Sequence, residues 1–445
     1  MNDRPESKDK FRIAVVGSGI SGLAATWLLS QHHDVTLFES DLRLGGHSNT
    51  VRVIDTGGQI VSIDTGFIVY NEATYPNLQA LFRHLSLTTH ETTMGFSVSM
   101  GNGALEYSGN GISGLFAQKR NIFRTRFWNM LRDIIRFYHD APLNAARYEN
   151  TTLESYLDQR GYGEGFRDDH LYPMASAIWS TSVEEIGSYP VTSFVRFCEN
   201  HRLLNLRNRP TWKTVVGGSH EYVRRLQHEI GPNIMTGNPV IRIKRDEKEV
   251  TVLCKDGSVE RFDKIVIATH ADDALKLLDA PSHEEEKLLG AFRYTNNRVL
   301  LHTDKRLMPI RRSIWSAWNY MGSVGSKKEL CVSYWMNALQ PITSSDQFFV
   351  TLNPFIEPES RLVHYETHYS HPLLNAAALS AQRELWRLQG KSHTWFSGAY
   401  FGSGFHEDGL QSGLAAAESI GGVRRPWNVN AESGRIFLAP GNGNL

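Results

Sequence analysis

The stretch from Phe11 to Thr50 constrains the fold of this chain more than any other part of the sequence. An apolar run leads into Gly17, Gly19 and Gly22, which have G-x-G-x-x-G spacing. In such a turn the first glycine permits the sharp bend, the second lets backbone N–H groups approach a pyrophosphate, and the third allows close helix packing. The sequence therefore predicts a strand, a turn and a helix whose N-terminus binds a dinucleotide. The predicted contacts are Gly17, Gly19, Ile20, Ser21 and Gly22.

The residues after this unit indicate which dinucleotide is bound. Val35 to Phe38 predicts a second strand that ends on Glu39, the acid that accepts a pair of ribose hydroxyls. Arg43, Gly45 and Gly46 then complete the pattern E-x-x-x-R-x-G-G. This second glycine pair resembles the flavoprotein extension in which the chain folds back over the FAD pyrophosphate. The FAD contacts that it implies are Glu39, Ser40, Arg43, Gly45, Gly46 and His47.

Three further strings resemble the flavin-containing amine oxidase superfamily. Asp64-Thr65-Gly66 is similar to the segment that returns to the flavin, and KIVIATH at 264–270 is similar to a strand near the cofactor. The string G-x-x-S-G at 409–413 resembles the C-terminal FAD motif, whose backbone N–H groups stabilise charge on the reduced flavin. The cofactor contacts that this resemblance implies are Asp64, Thr65, Gly66, Phe67, Val240, Ala268, Thr269, Gly404, Phe405, Asp408, Gly409, Leu410, Ser412 and Gly413.

The strings GFIVYNEATYPNL at 66–78 and GSGFHEDGLQSG at 402–413 resemble one bacterial subgroup of this superfamily. Its members are predicted NAD/FAD-binding oxidoreductases associated with cyclopropane-fatty-acid synthases, and their relatives form the N-terminal part of plant cyclopropane synthases. The resemblance extends over nearly the whole chain. It implies FAD as the cofactor. The implied partners are a lipophilic small molecule or phospholipid acyl substrate and a lipid-modifying methyltransferase.

The expected fold is α/β, a Rossmann-like FAD-binding domain of the amine-oxidase type with an interleaved α+β substrate domain. With 445 residues and 41% hydrophobic content, the chain is long enough for two such domains. The predicted FAD-binding domain comprises residues 1–75, 211–280 and 386–445. The predicted substrate domain comprises residues 76–210 and 281–385. The segment after Gly421 is predicted to be a frayed tail.

Composition excludes several classes of partner. Lys plus Arg and Asp plus Glu balance at 47 each, so no bulk charge indicates nucleic acid. The three cysteines lack C-x-x-C spacing, which indicates a reducing compartment and no structural metal. The N-terminus is polar, and no apolar run reaches about 18 residues. We therefore expect a cytoplasmic, soluble chain without a metal, with any membrane contact peripheral and at the inner face.

The segment Leu115–Tyr138 is predicted to be one helix with an unusual composition. Lys119, Arg120, Arg124, Arg126, Arg132 and Arg136 stand against Asp133 as the single acid, with aromatic residues interleaved. Basic and aromatic residues at helical spacing fit a helix that lies on an anionic membrane surface. They also fit a domain helix with a solvated basic face, and the sequence leaves both interpretations open.

The run His406-Glu407-Asp408 is the candidate catalytic group. It has the residue types of a general base with a carboxylate that orients it. Alternatively, the two acids cap a helix and His406 packs against the flavin ring. No cysteine follows Cys331, so we expect FAD to be bound non-covalently. His47 stands where the family pattern commonly has arginine.

The resemblance implies an FAD-dependent oxidoreductase that desaturates or oxidises an unsaturated or modified fatty acyl chain by hydride transfer to flavin N5. No aromatic cage for an amine is evident beside His406, where only Tyr400 and Phe401 are close in sequence. This favours a lipid substrate over the alternative of an amine or amino-acid oxidase. A redox-neutral double-bond isomerase of fatty acids is a third interpretation. A non-catalytic FAD-binding partner of a methyltransferase is the alternative without enzyme activity.

Overall fold

The computed structural model describes residues 10–149, 151–179, 183–205, 210–322 and 331–438. In these residues the strands are, in chain order, β1 (Arg12–Val16), β2 (Asp34–Glu39), β3 (Thr50–Ile54), β4 (Ile60–Asp64), β5 (Tyr70–Asn71), β6 (Thr89–Thr92), β7 (Phe96–Met100), β8 (Leu105–Ser108), β9 (Trp212–Val215), β10 (Ile234–Thr236), β11 (Val240–Arg245), β12 (Val250–Cys254), β13 (Val259–Phe262), β14 (Lys264–Ile267), β15 (Arg293–His302), β16 (Trp318–Gly322), β17 (Cys331–Trp335), β18 (Phe349–Leu352), β19 (Val363–Leu373) and β20 (Thr394–Phe396). The α-helices are, in chain order, α1 (Ile20–Leu29), α2 (Pro76–His84), α3 (Gly111–Leu115), α4 (Thr125–Asn144), α5 (Leu153–Gln159), α6 (Glu164–Phe166), α7 (Tyr172–Trp179), α8 (Val183–Gly187), α9 (Val191–Asn200), α10 (His220–Ile230), α11 (Ala271–Leu277), α12 (His283–Leu289), α13 (Met336–Leu339), α14 (Ala376–Gln382) and α15 (His406–Ile420).

A five-stranded parallel sheet forms the dinucleotide-binding part, in the order β10-β2-β1-β14-β20. Its strands come from three separate parts of the chain. The residues of β1 are apolar on both faces: Ile13 and Val15 pack with α1, α10 and α15, whereas Ala14 and Val16 pack with β11–β13, α11 and α12. Burial on both faces is typical of a parallel strand covered by other elements.

A seven-stranded mixed sheet forms the second part, in the order β19-β15-β18-β17-β16-β7-β8. β7 and β8 precede the helical region and β15–β19 follow it, so two distant segments meet where β7 runs parallel to β16. Helices α4, α7 and α9 share one core with this sheet. None of the helices in the described ranges is long and apolar enough to cross a bilayer. The interleaving of the two parts follows from strand pairing, while the domain boundaries themselves stay a prediction.

The predicted single helix over Leu115–Tyr138 is wrong. α3 ends at Leu115, a 3-10 helix follows at Lys119–Phe123, and α4 begins only after Arg124. The guanidinium groups of Arg120 and Arg124 donate to backbone carbonyls of the β7–β8 turn. These tertiary hydrogen bonds interrupt the helix, and the periodicity of the local sequence carries no record of them.

The predicted frayed tail is also wrong for residues 422–438, which fold back onto the helices. The Trp427 ring stacks on Trp27 of α1 with 5.7 Å between the ring centroids. The buried Arg425 pairs with Glu418 of α15 and donates to Asn77 Oδ1 of α2. The tail therefore joins three helices that pack beside the parallel sheet. Residues 439–445 lie outside the described part of the chain.

Candidate functional site

One cavity of about 1300 Å³ connects the two parts of the molecule. At one end it is lined by the glycine turn after β1 and by the end of β2, and in the middle by the loop that precedes α15. At the other end it is lined by α4, α7, β7, β16 and β17. We call this last end the apolar chamber, and its walls include Phe96, Leu131, Met174, Ile178, Trp318 and Tyr334.

The glycine turn places the N-terminus of α1 against the cavity. Gly17 has a φ of +101°, which glycine adopts without strain, and a Cβ on Gly22 would lie 1.8 Å from the Gly17 carbonyl oxygen. Gly19 caps α1 without a side chain, and a Cβ built on it would meet nothing within 4 Å. Gly17 and Gly22 are thus required by the turn itself. Gly19 keeps space open before a helix N-terminus, where an anion is stabilised.

Glu39 ends β2 beside this turn and lines the cavity. Its carboxylate accepts hydrogen bonds from Ser18 N at 2.8 Å, from Ser18 Oγ at 2.5 Å and from Asp41 N at 2.9 Å. Ser40 Oγ donates a further hydrogen bond at 3.0 Å. The carboxylate is therefore held in one place at the cavity wall, where the fold lets it accept ribose hydroxyls.

Arg43 has a buried polar atom that lacks a partner. No described residue accepts a hydrogen bond from its Nη1. Gly45 and Gly46, with φ of +108° and +54°, turn the chain back so that a Cβ on Gly46 would lie 3.2 Å from Gly19 Cα. A buried, unsatisfied guanidinium nitrogen is costly. Arg43 itself lies behind the cavity lining, and a pyrophosphate bound at Gly46, which does line the cavity, would place negative charge close to this guanidinium, so this observation fits a bound dinucleotide.

His47 lines the cavity within a group of aromatic rings. Its ring stacks on Tyr369 at 4.7 Å, and its centroid lies 5.4 Å from that of His371 and 6.3 Å from that of His270. Burial, followed by the charges of His371 and His270, holds the pKa of His47 well below its ordinary value. The imidazole is therefore neutral near pH 7. It offers a hydrogen bond, but no charge, at the position where the family pattern has arginine.

His406 is the first residue of α15 and lines the middle of the cavity. Its ring stacks on Phe67 with 3.8 Å between centroids, and its Nε2 lies 2.9 Å from Ser48 Oγ and 3.1 Å from Tyr222 Oη. Burial lowers the pKa of His406 to about 3, so the ring is neutral near pH 7. Contacts on both the ring face and Nε2 fix this side chain, which favours packing over general-base catalysis.

Glu407 and Asp408 do not border the cavity, and the geometry does not support a catalytic role for either. Glu407 accepts hydrogen bonds from the backbone N of Asn77 and Leu78, at the start of α2, at 3.0 and 2.9 Å. Asp408 Oδ1 lies 2.7 Å from Arg435 Nε. Burial raises the pKa of both carboxyl groups, and Arg435 opposes that shift. The two acids instead hold α2 and the C-terminal segment against α15.

The other predicted cofactor contacts divide into two groups. Those that line the cavity are Ile20, Ser21, Ser40, Gly46, Thr65, Gly66, Phe67, Val240, Ala268, Thr269, Gly404 and Phe405. Those that lie behind the lining are Gly22, Arg43, Gly45, Asp64, Gly409, Leu410, Ser412 and Gly413. Burial raises the pKa of Asp64 to about 6, and its carboxylate accepts from Ser219 N at 2.8 Å. A Cβ on Gly413 would lie 2.2 Å from the Ser21 carbonyl oxygen, so Gly413 lets α15 approach α1. The assignment of these residues to FAD stays a prediction.

Several cavity residues carried no recognised sequence signal. Tyr369 and His371 come from β19, and Tyr369 Oη lies 3.0 Å from Thr65 Oγ1. Arg202 follows α9 and lines the cavity from the substrate side. His270 did carry a signal, because it ends the string KIVIATH, and Trp318 and Tyr334 belong to aromatic strands that the sequence indicates as either pocket lining or core. The pairing of β19 with β15 that positions Tyr369 leaves no local pattern.

A protein-family match establishes the class to which this site belongs. The family model for flavin containing amine oxidoreductases matches residues 20–317. The chain belongs to this family. It is therefore an FAD-dependent oxidoreductase, and the predicted fold class and cofactor are confirmed. The finer resemblance to a subgroup associated with cyclopropane-fatty-acid synthases stays a prediction.

Individual members of the flavin amine oxidoreductase family are distant in sequence. AofH of Mycobacterium tuberculosis, named a flavin-containing monoamine oxidase, is 26% identical over 330 residues, which are 70% of this chain and 67% of that protein. Amine oxidase A of Canis lupus familiaris is 24% identical over 334 residues, covering 70% of this chain and 59% of that enzyme.

Solved structures share the same fold at low identity. A double mutant of putrescine oxidase matches with a TM-score of 0.65 and 14% identity, covering 92% of this chain and 99% of that one. A fatty acid isomerase from P. acnes that produces CLA matches with a TM-score of 0.63 and 15% identity, covering 92% and 98%. These matches extend the flavin amine oxidoreductase fold over both parts of the molecule.

The cysteines bear on how this flavin amine oxidoreductase holds FAD. Cys198, Cys254 and Cys331 are all buried, and none of them lines the cavity. A thioether to the flavin needs a cysteine sulfur inside the cavity. The prediction of non-covalent FAD is consistent with this placement.

We expect His406 to make the apoprotein sensitive to acid. Its folded pKa of about 3 lies below the ordinary 6.5, so the unfolded chain alone gains this proton as the pH falls from 6.5 towards 3. Stability is lost within that window and is unaffected above it. His406→Gln removes the titration, and the free energy of unfolding should then fall less steeply with pH. Urea unfolding at several pH values measures the slope, with His283→Gln, at an exposed position, as the control that should keep it. Equal slopes in both variants would contradict the assignment.

Proposed function

We propose that this flavin amine oxidoreductase acts on a fatty acyl chain, from which a hydride is transferred to the flavin. The observation that carries the proposal is the distribution of charge along the cavity. Glu39, Asp273 and Lys276 line it from β2 and α11, on the dinucleotide side. Arg202 lines it from the substrate side. Among the described residues that line the apolar chamber there is no carboxylate.

The apolar chamber disfavours a substrate with an ammonium group and favours a hydrocarbon chain with a carboxylate at its end. An ammonium group would be buried among aliphatic and aromatic side chains without a counter-charge, which is costly. A hydrocarbon chain is stabilised there by about 25 cal/mol for each Å² of apolar surface removed from water. Its carboxylate or phosphate end would meet the exposed guanidinium of Arg202. The chamber therefore favours an acyl chain with an anionic end.

His170 supplies a polar group within the chamber. It lies in a π-helical segment, Arg167–Leu171, a geometry frequent at functional sites. Its Nδ1 lies 3.1 Å from Tyr107 Oη, and its Nε2 lies 3.1 Å from Tyr138 Oη. Because Tyr107 Oη donates to the Asp169 carbonyl at 2.7 Å, it accepts from Nδ1–H of His170. Nε2 then carries the lone pair and accepts from the Tyr138 hydroxyl, which lines the cavity.

These groups suit the removal of two hydrogens from an acyl chain. FAD, when bound, supplies the hydride acceptor at its N5. One C–H bond would break with its electron pair leaving as hydride, and the neighbouring C–H bond would break to form the C=C bond. Its proton would pass to Tyr138 Oη, which lines the cavity, as that hydroxyl donates its own proton to His170 Nε2. The apolar walls, including Met174 and Trp318, exclude water from the reacting carbons.

Amine oxidation is the second candidate, supported by the names of the mycobacterial and canine relatives. A third, double-bond isomerisation, is supported by the structural likeness to the P. acnes fatty acid isomerase. Tyr400 and Phe401, the aromatic pair near His406 in sequence, are buried with centroids 5.0 Å apart and tilted by 41°. They do not face one another across a substrate site, which weighs against an amine cage there.

Anaerobic titration of the purified holoprotein tests the proposal. We expect unsaturated fatty acids or phospholipids to bleach the visible flavin band and amines to leave it unchanged. Bleaching by amines alone would contradict the proposal and favour amine oxidation. A new diene absorbance without bleaching would favour isomerisation.

Arg202→Gln should separate binding of the anionic end from the chemical step. A hydrogen bond to a charged group contributes about 1.5–3 kcal/mol, so half-maximal bleaching should need about 10- to 100-fold more fatty acid. The bleaching rate at saturation should be unchanged. Arg147→Gln removes an exposed arginine outside the cavity and is the matched control. Identical titrations for both variants would show that Arg202 does not bind the substrate.

A further inference from the structure

We propose that a surface beside the cavity docks on an anionic phospholipid bilayer, so that the acyl substrate enters the chamber from the membrane. That the entering molecule is an acyl substrate rests on the proposed function. The docking on a bilayer rests on the residues of the surface alone. This docking face consists of the 3-10 helix Lys119–Phe123 and the outer side of α4. Its residues are Lys119, Arg120, Phe123, Arg124, Trp128 and Ile135.

Large apolar side chains of the docking face are exposed. Phe123 is 88% exposed, Ile135 59% and Trp128 50%. Trp128 and Ile135 are two helical turns apart on one side of α4, while Met130 and Phe137 on the opposite side are buried. Trp128 Nε1 donates to the Ile122 carbonyl oxygen at 2.8 Å, which fixes the indole beside the 3-10 helix. Large apolar side chains that are exposed together on one side of a molecule mark an interaction site.

The charge of the docking face is positive. Arg120 and Arg124 donate to carbonyl oxygens rather than to carboxylates, so these hydrogen bonds leave their charges in place. Lys119 is exposed next to them. Asp133, the single acid between residues 111 and 136, is buried and accepts from Gly163 N at 3.0 Å. Basic residues interleaved with exposed aromatic and aliphatic ones complement an anionic bilayer, which offers both negative headgroups and an apolar interior.

The docking face borders the cavity. Ile135 belongs to both surfaces, and Leu131, one turn earlier on α4, lines the chamber. Arg202 lines the cavity and also a small pocket with Tyr138 and Pro142 of α4. An acyl chain that leaves the bilayer at Ile135 would thus pass into the chamber without crossing water, with its charged end near Arg202 at the rim.

Sedimentation of the full-length holoprotein with vesicles tests the docking. Vesicles of phosphatidylglycerol and phosphatidylcholine in equal parts should bind the protein, with binding weakened by salt, and phosphatidylcholine vesicles should not. Phe123→Ser with Trp128→Ser should weaken binding by roughly tenfold or more. Lys119→Gln should weaken it about fivefold, the equivalent of about 1 kcal/mol per basic residue.

The matched control is Ile54→Ser with Ile60→Ser, a pair in the β3–β4 hairpin whose members are each 70% exposed. It should bind vesicles as the parent protein does. Equal binding by the Phe123 and Trp128 double variant, or no binding by the parent at low salt, would overturn the proposal. A dimer that this variant dissociates, without vesicle binding, would assign the face to a second copy and overturn it as well. Because sedimentation needs no flavin reduction, its failure is distinguishable from a failure of the acyl substrate.

Discussion

Gly19→Val is expected to abolish FAD binding while the apoprotein remains folded. Gly19 caps α1 with φ −61° and ψ 176°, an extended conformation that valine adopts readily. A Cβ there meets no protein atom within 4 Å, because the space in front of it is the cavity. The isopropyl group would therefore occupy the place where a pyrophosphate approaches the helix N-terminus. Loss of two charge-assisted hydrogen bonds alone weakens binding by more than about 100-fold.

Fluorescence titration of the apoprotein with FAD measures this loss, and circular dichroism with thermal unfolding checks the fold. Gly19→Ala should give a smaller loss, since one methyl group fills less of the space. Gly22→Ala is the contrasting variant, because its Cβ would lie 1.8 Å from the Gly17 carbonyl oxygen and should destabilise the apoprotein itself. Binding of FAD to Gly19→Val with the parent's affinity would show that the cofactor does not approach this turn.

The dinucleotide end of the site could be predicted because its signals are local. The glycine spacing dictates the turn after β1, and Glu39 follows it closely enough that Ser18 N and the carboxylate, 21 residues apart, meet across adjacent strands. Each of these contacts lies within one strand-helix-strand unit. A short sequence pattern is sufficient to predict the structure there, since a strand-helix-strand unit with these glycines folds in one way.

The middle and far end of the site depend on contacts that no local pattern records. Glu407 stands beside a histidine at a helix start, which suggests a base, yet its hydrogen-bond partner Asn77 is 330 residues away. Tyr369 reaches Thr65 across 304 residues. The interrupted helix before α4 has a similar cause, because Arg120 and Arg124 donate to the β7–β8 turn, 16 and 20 residues earlier in the chain. The sequence does not reveal whether an acidic or aromatic residue has a structural or a catalytic role, because its neighbours are set by the pairing of distant strands.

Arg435→Met is expected to destabilise the protein by about 3–5 kcal/mol, the cost of leaving a buried charge without its partner. Arg435 Nε lies 2.7 Å from Asp408 Oδ1, and Asp408 is fully buried. Arg435 Nη1 also donates to the Thr74 carbonyl at 2.8 Å, so the guanidinium ties α15 to the loop before α2. Urea unfolding of the apoprotein measures the loss. Arg361→Met breaks the exposed pair with Glu359 and should cost about 0–1 kcal/mol.

The pH dependence of Arg435→Met separates lost charge pairing from lost packing. Burial already raises the pKa of Asp408 and Arg435 lowers it, so removal of the guanidinium raises that pKa further. A folded pKa above the unfolded 3.8 costs stability at higher pH, and this cost disappears as the pH falls towards 3.8. The Arg435→Met variant should therefore regain stability relative to the parent as the pH is lowered. The double variant Asp408→Asn with Arg435→Met should recover part of the lost free energy of unfolding already at neutral pH. A deficit that is independent of pH and unchanged in the double variant would mean that Arg435 acts through packing on Tyr75, whose ring lies 5.5 Å from the guanidinium carbon.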